Sequence, residues 1–296
     1  MKRPIAAAKS LEGCRDGILP SIGVVKLSTD IGNIDGVATV ASVSRALQIL
    51  KCFSLETPEL GVTEISRRLN FNKSTTYRLL TTLEREEFLY QVEGGRYALS
   101  FTVLEIAAGI EAADGVREVI LESLRRLVDR TGETAHLAVL DAGEVLYVEK
   151  VEGTWSLRMP SAVGRRVPLN CTGLGKVLLA GLPPEEAERV VRSRIWESRT
   201  RFTITDSDQL MSEINLVRDQ GFALDREEIE EGLLCIATPI RDDHGVTCAG
   251  ISIAAPASRI APKLEEEIQA VVESGAWLSQ RLGPLARRLR EAARVS

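Results

Sequence analysis

The feature that most constrains the fold is the stretch Gly61–Leu99, in which two short helical patterns precede a glycine-containing hairpin. Apolar residues recur at helical spacing on both sides of the turn-prone segment Asn70-Phe71-Asn72. The predicted buried stripe consists of Ile65 and Leu69 on the first helix and of Thr76, Leu79, Leu80 and Leu83 on the second. Two strand patterns, Phe88–Gln91 and Arg96–Leu99, then flank Glu93-Gly94-Gly95. This order predicts a winged helix-turn-helix.

The face of the second helix opposite that stripe carries short hydroxyl and basic side chains near the helix start, where Asn72 is a suitable N-cap. Such side chains reach phosphates and base edges in the major groove. The predicted DNA contacts are Lys73, Ser74, Thr75, Thr76 and Arg78, with Arg45 and Arg96 as contacts to the DNA backbone. The alternative is an ordinary helical subdomain whose serines and threonines only cap and solvate. The appended hairpin favours DNA binding.

The net charge of −5 is unusual for a DNA-binding protein, but the charges are unevenly distributed. Residues 39–100 contain 8 Lys/Arg and 7 Asp/Glu, whereas residues 101–296 contain 24 and 31. A locally basic face on an acidic body is sufficient for docking on DNA, and paired faces in an oligomer multiply the attraction. We therefore expect a monomer to bind DNA weakly.

The rest of the composition argues against several other classes of protein. Five widely spaced cysteines without a CxxC pair argue against a disulfide framework and against a zinc site, and two histidines offer few ligands for any other transition metal. No apolar run approaches the ~18–20 residues of a membrane span, and the basic start lacks the apolar core of a secretory signal. We expect a cytoplasmic protein without a metal, a cofactor or a membrane association.

The chain divides into four predicted segments. Residues 1–38 are repeatedly interrupted by glycines and predict a disordered arm or a start codon chosen too early, with a DNA-tracking arm as the alternative. Residues 39–100 form the winged helix-turn-helix, whose first helix is predicted over Val40–Phe53 with its period running through Val43, Ala46, Leu47 and Leu50. Residues 101–115 form an apolar linker helix, and residues 116–296 form the second domain. Because such a helix buries its apolar stripe against a neighbour, we expect dimerisation through it.

The second domain begins with a helix over Val116–Arg130, after which the apolar period changes to two. Strands are predicted at 134–140, 144–151, 157–159, 235–240 and 247–254, and helices after Thr172, Pro183 and Asp206 and from Leu264 to Leu282. An antiparallel sheet flanked by these helices predicts an α+β domain that senses a ligand.

Two segments of this domain are candidate binding sites. In Cys171–Lys176, two glycines in the first turn of a helix leave N–H groups that favour an anion, although a close helix–sheet contact would also require small residues. The second segment, Gly221–Asp242, contains Asp225 and Cys235. Ser252 either directs its hydroxyl into a cavity or satisfies the sheet, and both interpretations remain open at this point.

Catalysis is the main alternative to a binding function. Cys171 or Cys235 together with His136 would form a thiol–imidazole pair. The sequence around His136 offers no acid that would orient the ring, so we expect no catalytic residues.

The residues from about Val40 to Pro256 resemble the IclR-type transcriptional regulators. Three blocks carry the resemblance: SVSRALQIL with NKSTTYRLLTTL and GGRYALS; GRRVPLNCTGLGKVLLA; and GFALDREEIEEGLLCIATPIRD followed by GISIAAPASRI. The resemblance implies an N-terminal winged helix-turn-helix, a C-terminal GAF-like effector domain and a homodimer or dimer of dimers. It also implies palindromic double-stranded DNA operators and a response to a small metabolite, commonly an organic acid or an aromatic compound.

The same resemblance implies effector contacts, as in glyoxylate- and pyruvate-type sensors, at Gly173, Leu174, Asp225, Cys235 and Ser252. A further serine of that pattern is Ala254 here, which argues against a glyoxylate-like ligand and is compatible with a larger or less polar one. We therefore expect a DNA-binding regulator whose C-terminal domain senses a metabolite and alters operator binding. The alternatives are a thiol-dependent enzyme on a GAF-like scaffold and a ligand-independent DNA-binding protein.

Overall fold

The computed structural model describes residues 40–111, 115–156 and 161–282, so the predicted arm at 1–38 and the predicted strand at 157–159 lie outside the described residues. The first elements are α1 (Ala41–Leu50), β1 (Glu59–Gly61), α2 (Val62–Leu69), α3 (Lys73–Arg85), β2 (Leu89–Val92) and β3 (Arg96–Leu99). The three strands form an antiparallel sheet in the order β1-β3-β2. The winged helix-turn-helix is confirmed, with β1 as a third strand that the sequence did not predict.

The buried stripe of the two central helices is confirmed. Ile65 and Leu80 are fully buried, and Leu69 and Leu83 are nearly so. The turn between the helices depends on Asn70, which adopts the left-handed conformation with φ 52° that ends α2. Asn72 then caps α3, because its side chain accepts a hydrogen bond from the Ser74 N–H.

The first helix is shorter than predicted and packs through Ile49 together with two of the four predicted residues. It ends at Leu50 and not at Phe53, and Ile49 is its buried side chain. Val43 and Leu47, which carried the predicted period, are 55% and 52% exposed. The predicted period was therefore wrong for Val43 and Leu47, which lie on another side of the helix from Ile49, whereas the predicted Ala46 and Leu50 pack against the core beside Ile49.

The predicted linker helix is α4 (Phe101–Glu111), and α5 (Val116–Thr131) follows Gly115, which has φ 66°. Large apolar side chains of α4 face solvent: Phe101 is 83% exposed, Leu104 65% and Ile106 58%. In α5, by contrast, Leu124 and Leu127 are buried. The two helices therefore differ, since α5 belongs to the core of the second domain and α4 presents apolar surface.

The second domain contains a six-stranded sheet in which all neighbours are antiparallel. Its strands are β4 (Thr134–Asp141), β5 (Glu144–Val151), β6 (Arg166–Val167), β7 (Ala223–Arg226), β8 (Leu233–Arg241) and β9 (Thr247–Pro256), in the spatial order β6-β5-β4-β9-β8-β7. The helices are α6 (Gly173–Ala180), α7 (Pro184–Arg192), α8 (Ser207–Gln220), α9 (Ala257–Ile260) and α10 (Leu264–Leu282). The α+β prediction is confirmed.

Alternate residues of the central strands contact different helices. Ile236, Ile251 and Ile253 pack in one core with side chains of α5 and α10. The next residues along the strands, such as Ala237, face the other side, where α6, α7 and α8 form a second core. Because Ser252 lies between Ile251 and Ile253, it faces the α6 side of the sheet.

Gly175 brings α6 close to the preceding segment. A Cβ atom at this position would lie 2.2 Å from the carbonyl oxygen of Leu169. Relieving this clash would require the backbone to shift, so the position requires glycine. Gly173 is less constrained, because a Cβ atom there would lie 3.2 Å from the Ala237 Cβ. The close contact between helix and sheet that was the alternative interpretation therefore applies to Gly173, which faces Ala237 of β8, whereas the close approach at Gly175 is to the segment before α6.

Candidate functional site

The exposed start of α3 is the first candidate site. Lys73, Ser74 and Arg78 are exposed, and Thr75 is half-buried. The Ser74 hydroxyl donates to Asn72 Oδ1 at 2.9 Å, which fixes the first turn of the helix. The helix therefore presents two cations and a hydroxyl from a rigid, capped N-terminus, as an element that enters the major groove must do.

Thr76 is a correction to the predicted DNA surface. Its side chain is fully buried, and its hydroxyl donates to the Asn72 carbonyl oxygen at 3.1 Å. The residue was assigned by its chemical type, but its position in the buried stripe decides its environment. A direct contact between this side chain and DNA is incompatible with the observed packing.

Tyr77 lies on the exposed face and was missed. Its side chain is 56% exposed, one residue before Arg78 and three after Ser74. The helical spacing from Ser74 signals this position, but tyrosine is not one of the short hydroxyl or basic side chains on which the prediction rests. A phenol ring at this position adds a large contact surface and a hydroxyl donor to the exposed face of α3.

The two outlying arginines differ in their surroundings. Arg45 lies on α1 and is exposed, so its contact with DNA stays a prediction. The Arg96 guanidinium donates to the Glu59 carbonyl oxygen and pairs with Glu64 at 3.1 Å. These contacts connect the wing to the start of α2. They make a structural role the better-supported one for Arg96, and its contact with a phosphate stays a prediction.

The second candidate site is a cavity of about 110 Å³ on the α6 side of the larger sheet. Strand pairing places its floor, because His136 pairs with Ser252, and Cys235 pairs with both Asp225 and Ala254. Residues paired in register point to the same face of a sheet. All five predicted effector positions line this cavity: Gly173, Leu174, Asp225, Cys235 and Ser252.

Strands β4 and β5 and the segment after β5 contribute lining residues that the sequence did not identify as effector contacts. His136 is buried, with its Nε2 2.7 Å from the Ser161 hydroxyl and its ring centroid 4.9 Å from that of Tyr147. The Tyr147 N–H donates to the Arg165 carbonyl oxygen at 3.0 Å, which holds the segment that carries Arg165 beside the cavity. Arg165 also lies 3.6 Å from Glu56. His136, Tyr147, Ser161 and Arg165 thus add one cation and three neutral polar groups.

Burial controls the charges within the cavity. It raises the pKa of Asp225 to about 7, against an opposing backbone hydrogen bond from Glu228. Burial, and secondarily Lys150, lowers the pKa of His136 to about 3, so the ring is neutral. Burial also raises the pKa of Cys171 to about 12 and places that of Cys235 well above the usual range. Neither cysteine is thus activated as a thiolate, which argues against a thiol enzyme.

A buried ion cluster supports the cavity from behind. The Lys176 side chain is fully buried on α6, and its Nζ lies 2.7 Å from Glu228 and 3.2 Å from Glu213. The Glu228 N–H in turn donates to Asp225 Oδ1 at 2.7 Å. The cluster therefore connects α6, α8 and the turn after β7 behind the Asp225 carboxyl.

The described residues contain neither a helix suited to span a membrane nor a cluster suited to bind a metal. No helix of the described residues combines the length and the apolar character needed to cross a bilayer. Across those ranges, no group of three or more His, Cys, Asp and Glu side chains is placed to hold a metal ion.

Comparisons with known proteins point to one family. Residues 112–278 match the family described as "Bacterial transcriptional regulator IclR C-terminal", and residues 42–93 match the "IclR helix-turn-helix domain". The chain is 37% identical over 240 residues to the HTH-type transcriptional regulator KdgR of Dickeya chrysanthemi, an alignment that covers 80% of this chain and 78% of that protein. It is 34% identical over 249 residues to the HTH-type transcriptional regulator XynR of Escherichia coli (strain K12), covering 82% and 98%.

Solved structures show the same similarity. The crystal structure of an IclR homolog from Microbacterium hydrocarbonoxydans, complexed with 4-hydroxybenzoate, matches with a TM-score of 0.73 at 25% identity. The match covers 82% of this chain and 99% of that chain.

Proposed function

Since the chain belongs to the IclR family of transcriptional regulators, we propose that its cavity binds a small organic or aromatic acid, and that this effector alters the affinity of the α3 surface for an operator. As a member of this family, the protein is a DNA-binding regulator and not an enzyme. The observation that carries the effector proposal is the convergence of five positions from α6, β7, β8 and β9 on one cavity. We also propose that its operators are palindromic double-stranded DNA and that the protein is cytoplasmic.

The chemistry of the cavity supports an acid. Arg165 provides a cation that can pair with a carboxylate, and Gly173 and Leu174 place the first N–H groups of α6 at the cavity. The volume of about 110 Å³ suits a small metabolite, because drug-sized ligands occupy roughly 300–1,000 Å³. The related structure from Microbacterium hydrocarbonoxydans contains a small aromatic acid.

Replacing Arg165 by methionine is expected to weaken the binding of acids about 10- to 100-fold, because a charge-assisted hydrogen bond of about 1.5–3 kcal/mol is lost. Binding is measured by isothermal titration with propanoate, lactate, benzoate and 4-hydroxybenzoate. Each acid is also tested for its effect on the affinity for a DNA duplex selected from a random pool by the unmodified protein.

Arg166→Met is the matched control for this experiment. Arg166 is the next residue, but its guanidinium pairs with Asp141 away from the cavity, so acid binding should be unchanged. Equal losses in both variants would contradict the role of Arg165. If no acid binds or alters DNA affinity, the ligand-independent regulator becomes the better account.

We also propose that two copies of the chain associate through α4. The exposed apolar side chains Phe101, Leu104 and Ile106 form a surface that a single copy leaves in contact with water. A twofold dimer would pair two α3 helices for the two halves of a palindromic operator. The same pairing would compensate for the small positive charge of one winged helix-turn-helix.

Replacing Leu104 by glutamate is expected to shift the protein from dimer to monomer at micromolar concentration, because a charge would be buried in an apolar contact. Sedimentation velocity measures the change. Ile195→Glu is the control, since Ile195 is 96% exposed outside α4 and the same substitution there should leave the mass unchanged. An unchanged mass for Leu104→Glu would refute the proposed interface.

A further inference from the structure

Asp225 lines the cavity, and one oxygen of its buried carboxyl group has no hydrogen-bond partner among the described residues. The side chain is fully buried, and its Oδ1 accepts the Glu228 N–H at 2.7 Å. Its Oδ2 is buried and has no hydrogen-bond partner among the described residues. Buried polar atoms without a partner are costly, so an oxygen of this kind in a binding cavity indicates a ligand group that completes it.

The groups around Asp225 leave this oxygen without a strong donor. Cys235 faces it across the β7–β8 pair, but a thiol is a weak donor. Lys176 is engaged with Glu228 and Glu213. The Cys235 thiol interacts with the Asp225 carboxyl, but no strong donor among the described side chains reaches Oδ2, and a ligand hydroxyl would supply one.

The charged groups of the cavity limit the ligand to one carboxylate. Among its described lining residues, Arg165 is the cation, whereas Asp225 and Glu230 are acids. His136 is neutral because of its burial. A second carboxylate on the ligand would thus face two acids without a cation to balance it.

We propose, building on the acid-binding function above, that the effector is a monocarboxylate that also carries a hydroxyl group, and that this hydroxyl donates a hydrogen bond to Oδ2 of Asp225. The site would distinguish such a molecule from its analogue without the hydroxyl, because the analogue leaves the buried oxygen unpaired. The Asp225 side chain accepts hydrogen bonds at both of its oxygens without donating one only when it is ionised.

The dependence of ligand affinity on pH shows whether Asp225 accepts the hydrogen bond from the ligand or donates one to it. A protonated Asp225 would instead donate to an oxygen of the ligand, and binding would then weaken as the pH rises. With a pKa of about 7, the ionised fraction of Asp225 rises about tenfold from pH 6 to pH 8, so the affinity for a hydroxy acid should rise by a similar factor.

The two cysteines, the tyrosine and the histidine around Asp225 keep their neutral forms in this range. Burial holds the pKa of Cys171, Cys235 and Tyr147 above it, and that of His136 below it. Lys176 and Glu228 form an ion pair behind the carboxyl.

The test uses two matched pairs of acids, lactate with propanoate and 4-hydroxybenzoate with benzoate, titrated into the full-length protein at pH 6 and pH 8. We expect the hydroxy acid of at least one pair to bind at least tenfold more tightly than its partner at pH 8, with a smaller ratio at pH 6. In Asp225→Ala both the preference and its pH dependence should disappear. Asp225→Asn, which keeps the shape, should lose the pH dependence.

Two results are distinguishable. Equal binding within both pairs, or binding that weakens from pH 6 to pH 8, would overturn the hydroxyl assignment and leave the acid-binding function intact. Absence of binding by all four acids would contradict that function as well.

Discussion

Replacing Lys176 by methionine is expected to lower the free energy of unfolding by about 3–5 kcal/mol, because removing one partner of a buried ion cluster leaves an unpaired charge. The ammonium group is fully buried and lies within 3.2 Å of both Glu213 and Glu228. Methionine fills most of the same volume, so the loss reports the charge and not a cavity. Chemical denaturation followed by circular dichroism measures the change.

Arg192→Met is the matched control, since Arg192 also contacts two carboxylates, at 2.9 Å from Glu188 and 2.8 Å from Asp208, but on the surface. Water screens that cluster, and a much smaller loss is expected. Adding Glu228→Gln to Lys176→Met should restore part of the lost stability, because one of the stranded carboxylates becomes neutral. A similar decrease in the free energy of unfolding for Lys176→Met and Arg192→Met would show that burial does not determine how much the Lys176 ion cluster stabilises the fold.

Replacing Arg78 by alanine is expected to cost about 1–3 kcal/mol of binding free energy in each half-site if the guanidinium contacts a base. In the proposed dimer the loss occurs twice, which amounts to about 2–6 kcal/mol for a palindromic operator. The side chain is exposed on α3, so the fold should be unaffected. Fluorescence anisotropy with the selected duplex measures the affinity, and a scrambled duplex measures the non-specific term.

Arg189→Ala provides the control for this experiment, since Arg189 is exposed on α7 and the substitution removes the same charge. We expect its operator affinity to stay within the experimental error. An Arg78→Ala protein with unchanged affinity and footprint would remove this residue from the DNA surface.

The winged helix-turn-helix was predictable because its signals are local. The spacing of Ile65, Leu69, Leu80 and Leu83 specifies the buried stripe, and Asn72 specifies where α3 begins. Strand β1 was not predictable in this way, because three residues give no period and are held by pairing with β3. Thr76 shows the converse error, since a hydroxyl suited to DNA was preferred to the position that buries it.

The cavity was only partly predictable. The resemblance supplied Asp225, Cys235 and Ser252, but no local pattern could show that pairing would place His136 beside Ser252. Arg165 reaches the cavity through contacts of its segment with Tyr147, which are distant in sequence. The Asp225 oxygen without a partner is visible only once burial and hydrogen bonds are known.

The alternation along β8 and β9 has a consequence for how regulators of this kind diverge. Cys235, Ser252 and Ala254 line the proposed effector cavity, while their immediate neighbours Ile236 and Ile253 pack in the core on the opposite side of the sheet. If the cavity binds the effector as proposed, substitutions at every second residue of these strands change its lining and leave the core on the other side of the sheet unchanged. Ala254, where the resemblance to glyoxylate- and pyruvate-type sensors implies a serine, is a position of this kind.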